Sequence, residues 1–188
     1  AKKNPKVAAL PEVKALLKGD KAYFTGPNGE AALMKLLALT SSNMSPTTFA
    51  DTVGKFFALA KHPTFGVPYK ATTYQPMLEL LAYLRANGFE TWICSGGGID
   101  FMRVVSEDFY GIPPQQVIGS SGVYDVKLAN GKVAVVKAAK VDHVNDQGGK
   151  VTGLITYLGR PPVFAAGNER SGGDIAHLTY SQSSPYPS

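Results

Sequence analysis

Apolar residues in the first third of the chain recur three and four positions apart, which is the spacing of one face of a helix. This pattern predicts helices over 10–17, over 31–39 and from 46 to 59. Ser45 and Pro46 mark the start of the third, because serine caps free amide groups and proline suits the first helical position. The segment 63–74 is rich in turn formers and is interpreted as a linker.

The pattern changes after residue 75, where short β-prone runs alternate with helical segments. The predicted elements are a helix over 76–86, a strand over 89–94, a helix over 99–110, a strand over 117–119, hairpin strands over 123–128 and 132–136 around Asn130-Gly131, a helix over 151–158, a strand over 163–166 and a short helix after Asp174. This order predicts an α/β fold with a Rossmann-like parallel sheet and helices on both faces. Residues 1–74 are predicted to form a helical cap, and 75–188 the core.

Composition narrows the class of protein. The 188 residues allow one domain, or one core with a small satellite. The net charge of +5 comes with dispersed lysines, such as those at 127, 132, 137 and 140, which are interpreted as a solvated face. Nucleic acid is therefore not an expected partner, and a membrane is not either, because no apolar run approaches ~18 residues. The compartment (cytoplasmic, periplasmic or secreted) and the oligomeric state stay open.

A glycine-rich segment follows the predicted strand 89–94. Ser95 is followed by Gly96, Gly97 and Gly98, and the next helix begins at once. Backbone amides in such a loop can face an anion at the positive end of the helix, with the Ser95 hydroxyl as a further donor. On this interpretation, the segment binds a phosphate or a carboxylate group. The alternative is a tight strand-to-helix turn that needs glycine for its geometry.

A second polar segment follows the predicted strand 163–166. It carries Asn168, Glu169 and Asp174 among glycines. Oxygen ligands at the end of a strand suit Mg²⁺, which takes one or two carboxylates together with water and substrate phosphate. The alternative is that Asn168 and Asp174 cap turns and the following helix.

Lys150 lies between these two segments, after a glycine pair and before a predicted helix. A lysine in this place can neutralise a phosphate, although a surface lysine is the more common interpretation. The three histidines, at 62, 143 and 177, have no metal-ligand spacing, and with one cysteine a zinc site is improbable. His177 is interpreted as a packing or capping residue.

Taken together, the segments ICSGGG, GGK and AAGNERSGGDIAHL resemble the second, third and fourth motifs of the haloacid dehalogenase (HAD) superfamily, in its phosphoserine-phosphatase-like branch. Ser95 and Lys150 are 55 residues apart and Lys150 and Asn168 are 18 apart, which fits the family. The resemblance implies a hydrolase that transfers a phosphoryl group from a small phosphorylated substrate to an aspartate, with Mg²⁺ as cofactor. Ser95, Gly96, Gly97 and Lys150 would bind phosphate, Ser95 and Lys150 would be catalytic, and Asn168 and Asp174 would serve the metal.

The chain departs from the family in two ways. None of its 14 acidic residues lies two positions from another, so the D-x-D of the first motif is absent, and with it the aspartate nucleophile. In the fourth motif, the polar positions Asn168 and Asp174 are six apart, which is wider than the family's pattern. We therefore expect a fragment that lacks the central first strand and is incomplete at both ends. The alternative function is a pseudoenzyme that only binds phosphate-type anions.

Overall fold

A computed structural model of the chain describes residues 5–26, 28–168 and 172–185. The helices are α1 (Pro5–Ala8), α2 (Pro11–Lys18), α3 (Lys21–Thr25), α4 (Gly29–Ser41), α5 (Pro46–Leu59), α6 (Gln75–Ala86), α7 (Ile99–Arg103), α8 (Ser106–Tyr110), α9 (Gly148–Leu158) and α10 (Ile175–Ser181). The strands are β1 (Ile93–Gly98), β2 (Val117–Ala129) and β3 (Lys132–His143), and 3-10 turns cover Tyr69–Thr72 and Pro114–Gln116. Within the described ranges, no helix has the length and apolar character needed to cross a bilayer.

The helices of the first third are confirmed, and their ends follow local chemistry. The Ser45 hydroxyl accepts a hydrogen bond from the Thr48 amide at 3.1 Å, which caps α5 behind Pro46 as predicted. Gly19 ends α2 in the left-handed conformation, with φ at 68°. Capping therefore marks the start of α5 and the end of α2.

The α/β fold class is confirmed, and the sheet is mixed. Its strand order is β1-β2-β3, with β1 parallel to β2 and β2 antiparallel to β3. Asn130 and Gly131 have φ angles of 52° and 72°, so the predicted hairpin turn joins β2 and β3. The sheet is flanked by helices: α4 packs on β3 and β1, α7 on β2 and β1, and α9 on β1 and β2. The division at residue 74 stays a prediction.

Several predicted elements after residue 75 are wrong in their bounds. The strand begins at Ile93, not at 89, and runs through the glycines to Gly98, with an irregular register between Cys94 and Gly98. The glycines are therefore part of β1 rather than a loop beyond it. The helix over 99–110 is broken into α7 and α8. The segment 163–166 is irregular and not a strand, although its residues are apolar.

The linker over 63–74 is packed against the core by aromatic rings. The Phe57 ring on α5 lies 5.9 Å from Tyr69, 5.1 Å from Phe101 and 5.3 Å from Phe109, measured between centroids. Offset and edge-to-face ring pairs at these distances are favourable. The 3-10 turn at Tyr69–Thr72 is thereby tied to α5, α7 and α8.

The interpretation of Lys137 as part of a solvated face is wrong. Its side chain is 8% exposed, forms an ion pair with Asp100, and lies over the rings of Phe49 at 4.7 Å and Tyr124 at 5.0 Å. The Tyr124 hydroxyl also donates to Asp100 at 2.7 Å. The backbone of Lys137 pairs with the α4–α5 connection, because Asn43 N donates to its carbonyl at 2.8 Å and its own amide donates to Met44 O at 2.9 Å. The carboxylate and the two rings together compensate for burial of the ammonium group.

Gly119→Ala is expected to destabilise the fold. An added Cβ would lie 2.8 Å from Gly97 O and 2.9 Å from Ile99 Cα, and backbone atoms cannot move aside as a flexible side chain can. We expect a loss of about 2 kcal/mol in the free energy of unfolding, measured by urea denaturation. Gly122→Ala is the matched control, since its Cβ would lie 3.4 Å from Lys140 O. Equal losses in the two variants would contradict this account.

Lys137→Met is expected to lower the free energy of unfolding by about 3 kcal/mol, because it leaves the Asp100 carboxylate without its cation. The double variant Lys137→Met/Asp100→Asn should recover most of this loss, since the neutral amide still accepts from Tyr124. Urea denaturation of both variants measures the difference. Lys140→Met, at an exposed position of β3, is the control. A double variant less stable than the single one would show that the ion pair is not the source of the effect.

Candidate functional site

The three segments that carry the family resemblance meet at the ammonium group of Lys150. Lys150 Nζ donates to Cys94 O at 2.8 Å and lies 2.6 Å from Asp174 Oδ1. Cys94 is on β1, Lys150 is in the first turn of α9, and Asp174 immediately precedes α10. The fold thus brings together residues that are far apart in the sequence.

Lys150 is buried, so the alternative of a surface lysine is wrong. Its side chain is 8% exposed. The start of α9 depends on Gly149, because a Cβ there would lie 2.0 Å from Val144 O. Gly149, directly before the lysine, therefore permits the close approach between the start of α9 and Val144 that delivers Lys150 to β1.

Ser95 keeps a hydroxyl hydrogen that it can donate. Gly97 N donates to Ser95 Oγ at 3.1 Å, so the hydroxyl oxygen is the acceptor in this bond. The proton of the hydroxyl group is then available to an anion. The same bond engages the amide of Gly97, one of the residues predicted to bind phosphate. Gly96 lies between them, and its carbonyl accepts from Ser120 Oγ at 2.6 Å.

Asn145 organises this end of the sheet, and the sequence reasoning missed it. It is fully buried, and its Nδ2 donates to Ser95 O at 2.9 Å while its backbone amide donates to Ser120 Oγ at 2.9 Å. Ser120 in turn donates to Gly96 O. The amide side chain thus holds β1 to β2 where their register is irregular. Its signal in the sequence is a polar residue two positions after the end of β3 and five positions before Lys150.

Asp174 holds the fourth-motif segment to Lys150. Its Oδ2 accepts from Asn168 N at 2.6 Å, and its Oδ1 faces Lys150. Although Asp174 occupies the N-cap position of α10, its side chain makes no capping hydrogen bond, so capping does not explain it. Burial raises the pKa of the Asp174 carboxyl, but hydrogen bonds from Lys150 and Asn168 outweigh burial and bring the pKa below its ordinary value.

Two other titratable groups lie near this ion pair. His177 is 5% exposed, and its Nδ1 lies 3.8 Å from Asp174 Oδ1 with no hydrogen-bond partner in the described part of the chain. Burial lowers the pKa of the His177 imidazole. Burial also raises the pKa of the Cys94 thiol, despite a hydrogen bond from Asn145. Both groups are therefore kept toward their neutral forms.

The described residues do not complete a Mg²⁺ site. Asn168 and Asp174 come together, but both Asp174 oxygens already accept from donors, and one faces the Lys150 cation. No cluster of three or more histidine, cysteine, aspartate or glutamate side chains suited to a metal occurs in residues 5–26, 28–168 and 172–185. Glu169, the other candidate ligand, lies outside the described residues. A single carboxylate that is paired with an ammonium group is a poor donor set for Mg²⁺.

Glu30 is a second residue that the sequence reasoning missed. It is in the first turn of α4, and its carboxylate lies beside Gly96 on β1: a Cβ on this glycine would be 3.1 Å from Glu30 Oε1. No motif marks this glutamate, because only the packing of α4 on the sheet brings it to the site.

No family model and no curated protein matches the sequence. Among solved structures, the chain is similar to a phosphoserine phosphohydrolase-like protein from Francisella tularensis subsp. tularensis SCHU S4. The two share 19% sequence identity with a TM-score of 0.39, and the similarity covers 82% of this chain and 66% of the other. This chain therefore spans just under two thirds of that protein's length. At this degree of similarity, the contacts within this chain are what bear on its function.

Proposed function

We propose that this chain supplies the phosphate-binding residues of a phosphomonoester hydrolase of the HAD class, one that acts through an aspartyl-phosphate. The observation that supports this proposal most directly is the position of Lys150 Nζ between Cys94 O and Asp174 Oδ1. Cys94 directly precedes Ser95 in the sequence. A buried ammonium group bound to the backbone of Cys94, together with the hydroxyl proton of the next residue, Ser95, is suited to a phosphate group, which is anionic and rich in acceptor oxygens.

In this proposal Lys150 and Ser95 act on the phosphate. The Lys150 ammonium group neutralises charge on the phosphoryl oxygens, and the Ser95 hydroxyl donates to one of them. Asn145 positions Ser95, since it holds the backbone of Ser95 and bonds to Ser120 on β2. Asp174 keeps the Lys150 side chain directed at the end of β1, and the low pKa of its carboxyl preserves the ion pair at neutral pH.

The nucleophile lies outside this sequence in the proposal. The ester P–O bond breaks as an aspartate oxygen bonds to phosphorus, the leaving alkoxide takes a proton, and water then releases phosphate. The resemblance also implies Mg²⁺ held by Asn168 and Asp174. Because these residues do not complete a metal site, no step is assigned to the ion.

A second candidate function is a binding module for phosphate-type anions that does not turn them over. The observation that favours it is the absence of the D-x-D motif from the sequence. The two candidates share the anion site and differ in turnover.

Lys150→Met is expected to abolish phosphate binding, because the variant keeps the length of the side chain and loses its charge. Isothermal titration of the 188-residue chain with inorganic phosphate and with vanadate measures this. Lys127→Met, at an exposed position of β2, is the control and should bind as the unmodified chain does. Circular dichroism checks that both variants fold. Unchanged phosphate affinity in folded Lys150→Met would refute the role of Lys150.

Ser95→Ala is expected to weaken phosphate binding by roughly tenfold, which corresponds to the loss of one hydrogen bond to a charged group. Hydrolysis of an aryl phosphate, with and without Mg²⁺, by a longer form of the protein that includes the proposed aspartate nucleophile then separates the two candidate functions, because the 188-residue chain has no D-x-D motif and tests phosphate binding alone. Turnover that falls in both Ser95→Ala and Lys150→Met supports the hydrolase. Phosphate binding without turnover supports the binding module, and a chain that binds neither phosphate nor vanadate contradicts both.

A further inference from the structure

The Glu30 carboxyl group is next to the proposed anion site but comes from a different part of the chain. Relative to a Cβ placed on Gly96, its Oε1, Cδ and Oε2 lie at 3.1, 3.2 and 3.6 Å. Glycine at position 96 thus leaves the room that the carboxyl group occupies. Helix α4, which carries Glu30, packs on both β1 and β3, so the group is held at this place by the fold.

The surroundings of Glu30 favour its neutral form. Glu30 is half-buried, it lies beside Gly96 of β1, and the titratable groups that act on it are Asp146 and Lys150. Burial, with help from the negative charge of Asp146, raises the pKa of the Glu30 carboxyl above its ordinary value, although Lys150 opposes the shift.

We propose that Glu30 is a further residue of the anion site, whose neutral carboxyl group donates a hydrogen bond to a tetrahedral oxyanion held by Lys150 and Ser95. The ionised carboxylate has no proton to donate and repels the same anion. Anion binding is therefore tighter below the pKa of Glu30 and weaker above it. This proposal rests on the proposed function, because it presupposes an anion at Lys150.

The two effects of Glu30 are reciprocal. If the neutral form of Glu30 binds the anion more tightly, the bound anion must favour the neutral form by the same factor. Saturation with an anion therefore raises the pKa of Glu30 further. A carboxyl group that packs against Gly96 but lies out of reach of the anion does not respond in this way.

The experiment uses sulfate as the probe, because sulfate keeps its double charge across the range studied. Isothermal titration of the 188-residue chain without divalent metal is expected to give roughly tenfold tighter sulfate binding at about pH 5 than at about pH 7.5. Glu30→Gln, whose neutral amide donates at any pH, should bind sulfate equally well at both. Glu79→Gln, an exposed change on α6, should keep the pH dependence of the unmodified chain.

Carboxyl carbon resonances supply a second measurement that addresses Glu30 alone. The Glu30 resonance is the one that disappears in Glu30→Gln, and its titration midpoint is expected to rise on saturation with sulfate. A midpoint that sulfate leaves in place, or a Glu30→Gln variant with the pH dependence of the unmodified chain, overturns the role of Glu30. Sulfate binding that survives Lys150→Met instead overturns the anion site at Lys150. A chain that binds no sulfate at either pH overturns both.

Discussion

The fold around the site depends on one buried cation. An ammonium group that is 8% exposed loses most of its hydration, and the cost of several kcal/mol is offset only by close acceptors. Here the acceptors are Cys94 O on β1 and the Asp174 carboxylate before α10, so the charge of Lys150 joins β1, α9 and the segment before α10, which also pack on one another through α9. Removal of either partner would leave the cation uncompensated. The ion pair of the proposed anion site is thus also an interaction that holds these segments together.

Local signals in the sequence accounted for the elements whose ends are set by neighbouring residues. Ser45-Pro46 marked the start of α5, and Asn130-Gly131 marked the hairpin, because capping and turn chemistry act over a few residues. The same reasoning failed at β1. A serine and three glycines looked like a loop beyond the strand, but pairing with β2, supported by Asn145, keeps these residues extended.

The candidate site residues also divide into those that sequence motifs predict and those that only tertiary packing brings to the site. Ser95, Lys150, Asn168 and Asp174 were found from sequence because the resemblance spans ordered motifs, and the structure brings Lys150 against Asp174 and the strand that bears Ser95. Asn145 and Glu30 were missed, since each reaches the site through tertiary packing that no local pattern records. Lys137 was misread for a related reason. Its position among dispersed lysines gave no sign of the aspartate and the two rings that surround its charge.

The backbone of Lys137 has a separate consequence for how molecules of this protein meet. An edge strand offers unpaired amide and carbonyl groups to any other extended chain. On β3 the amide and carbonyl groups of Lys137 are already hydrogen-bonded to Asn43 and Met44, so the connection between α4 and α5 covers the edge at this position. Toward the hairpin turn, Val133 is 63% exposed, and Leu128 opposite it on β2 is 76% exposed. Strand addition is therefore blocked at Lys137 in the middle of β3, and nearer the hairpin turn Lys127 and Lys132 would place like charges between two approaching copies.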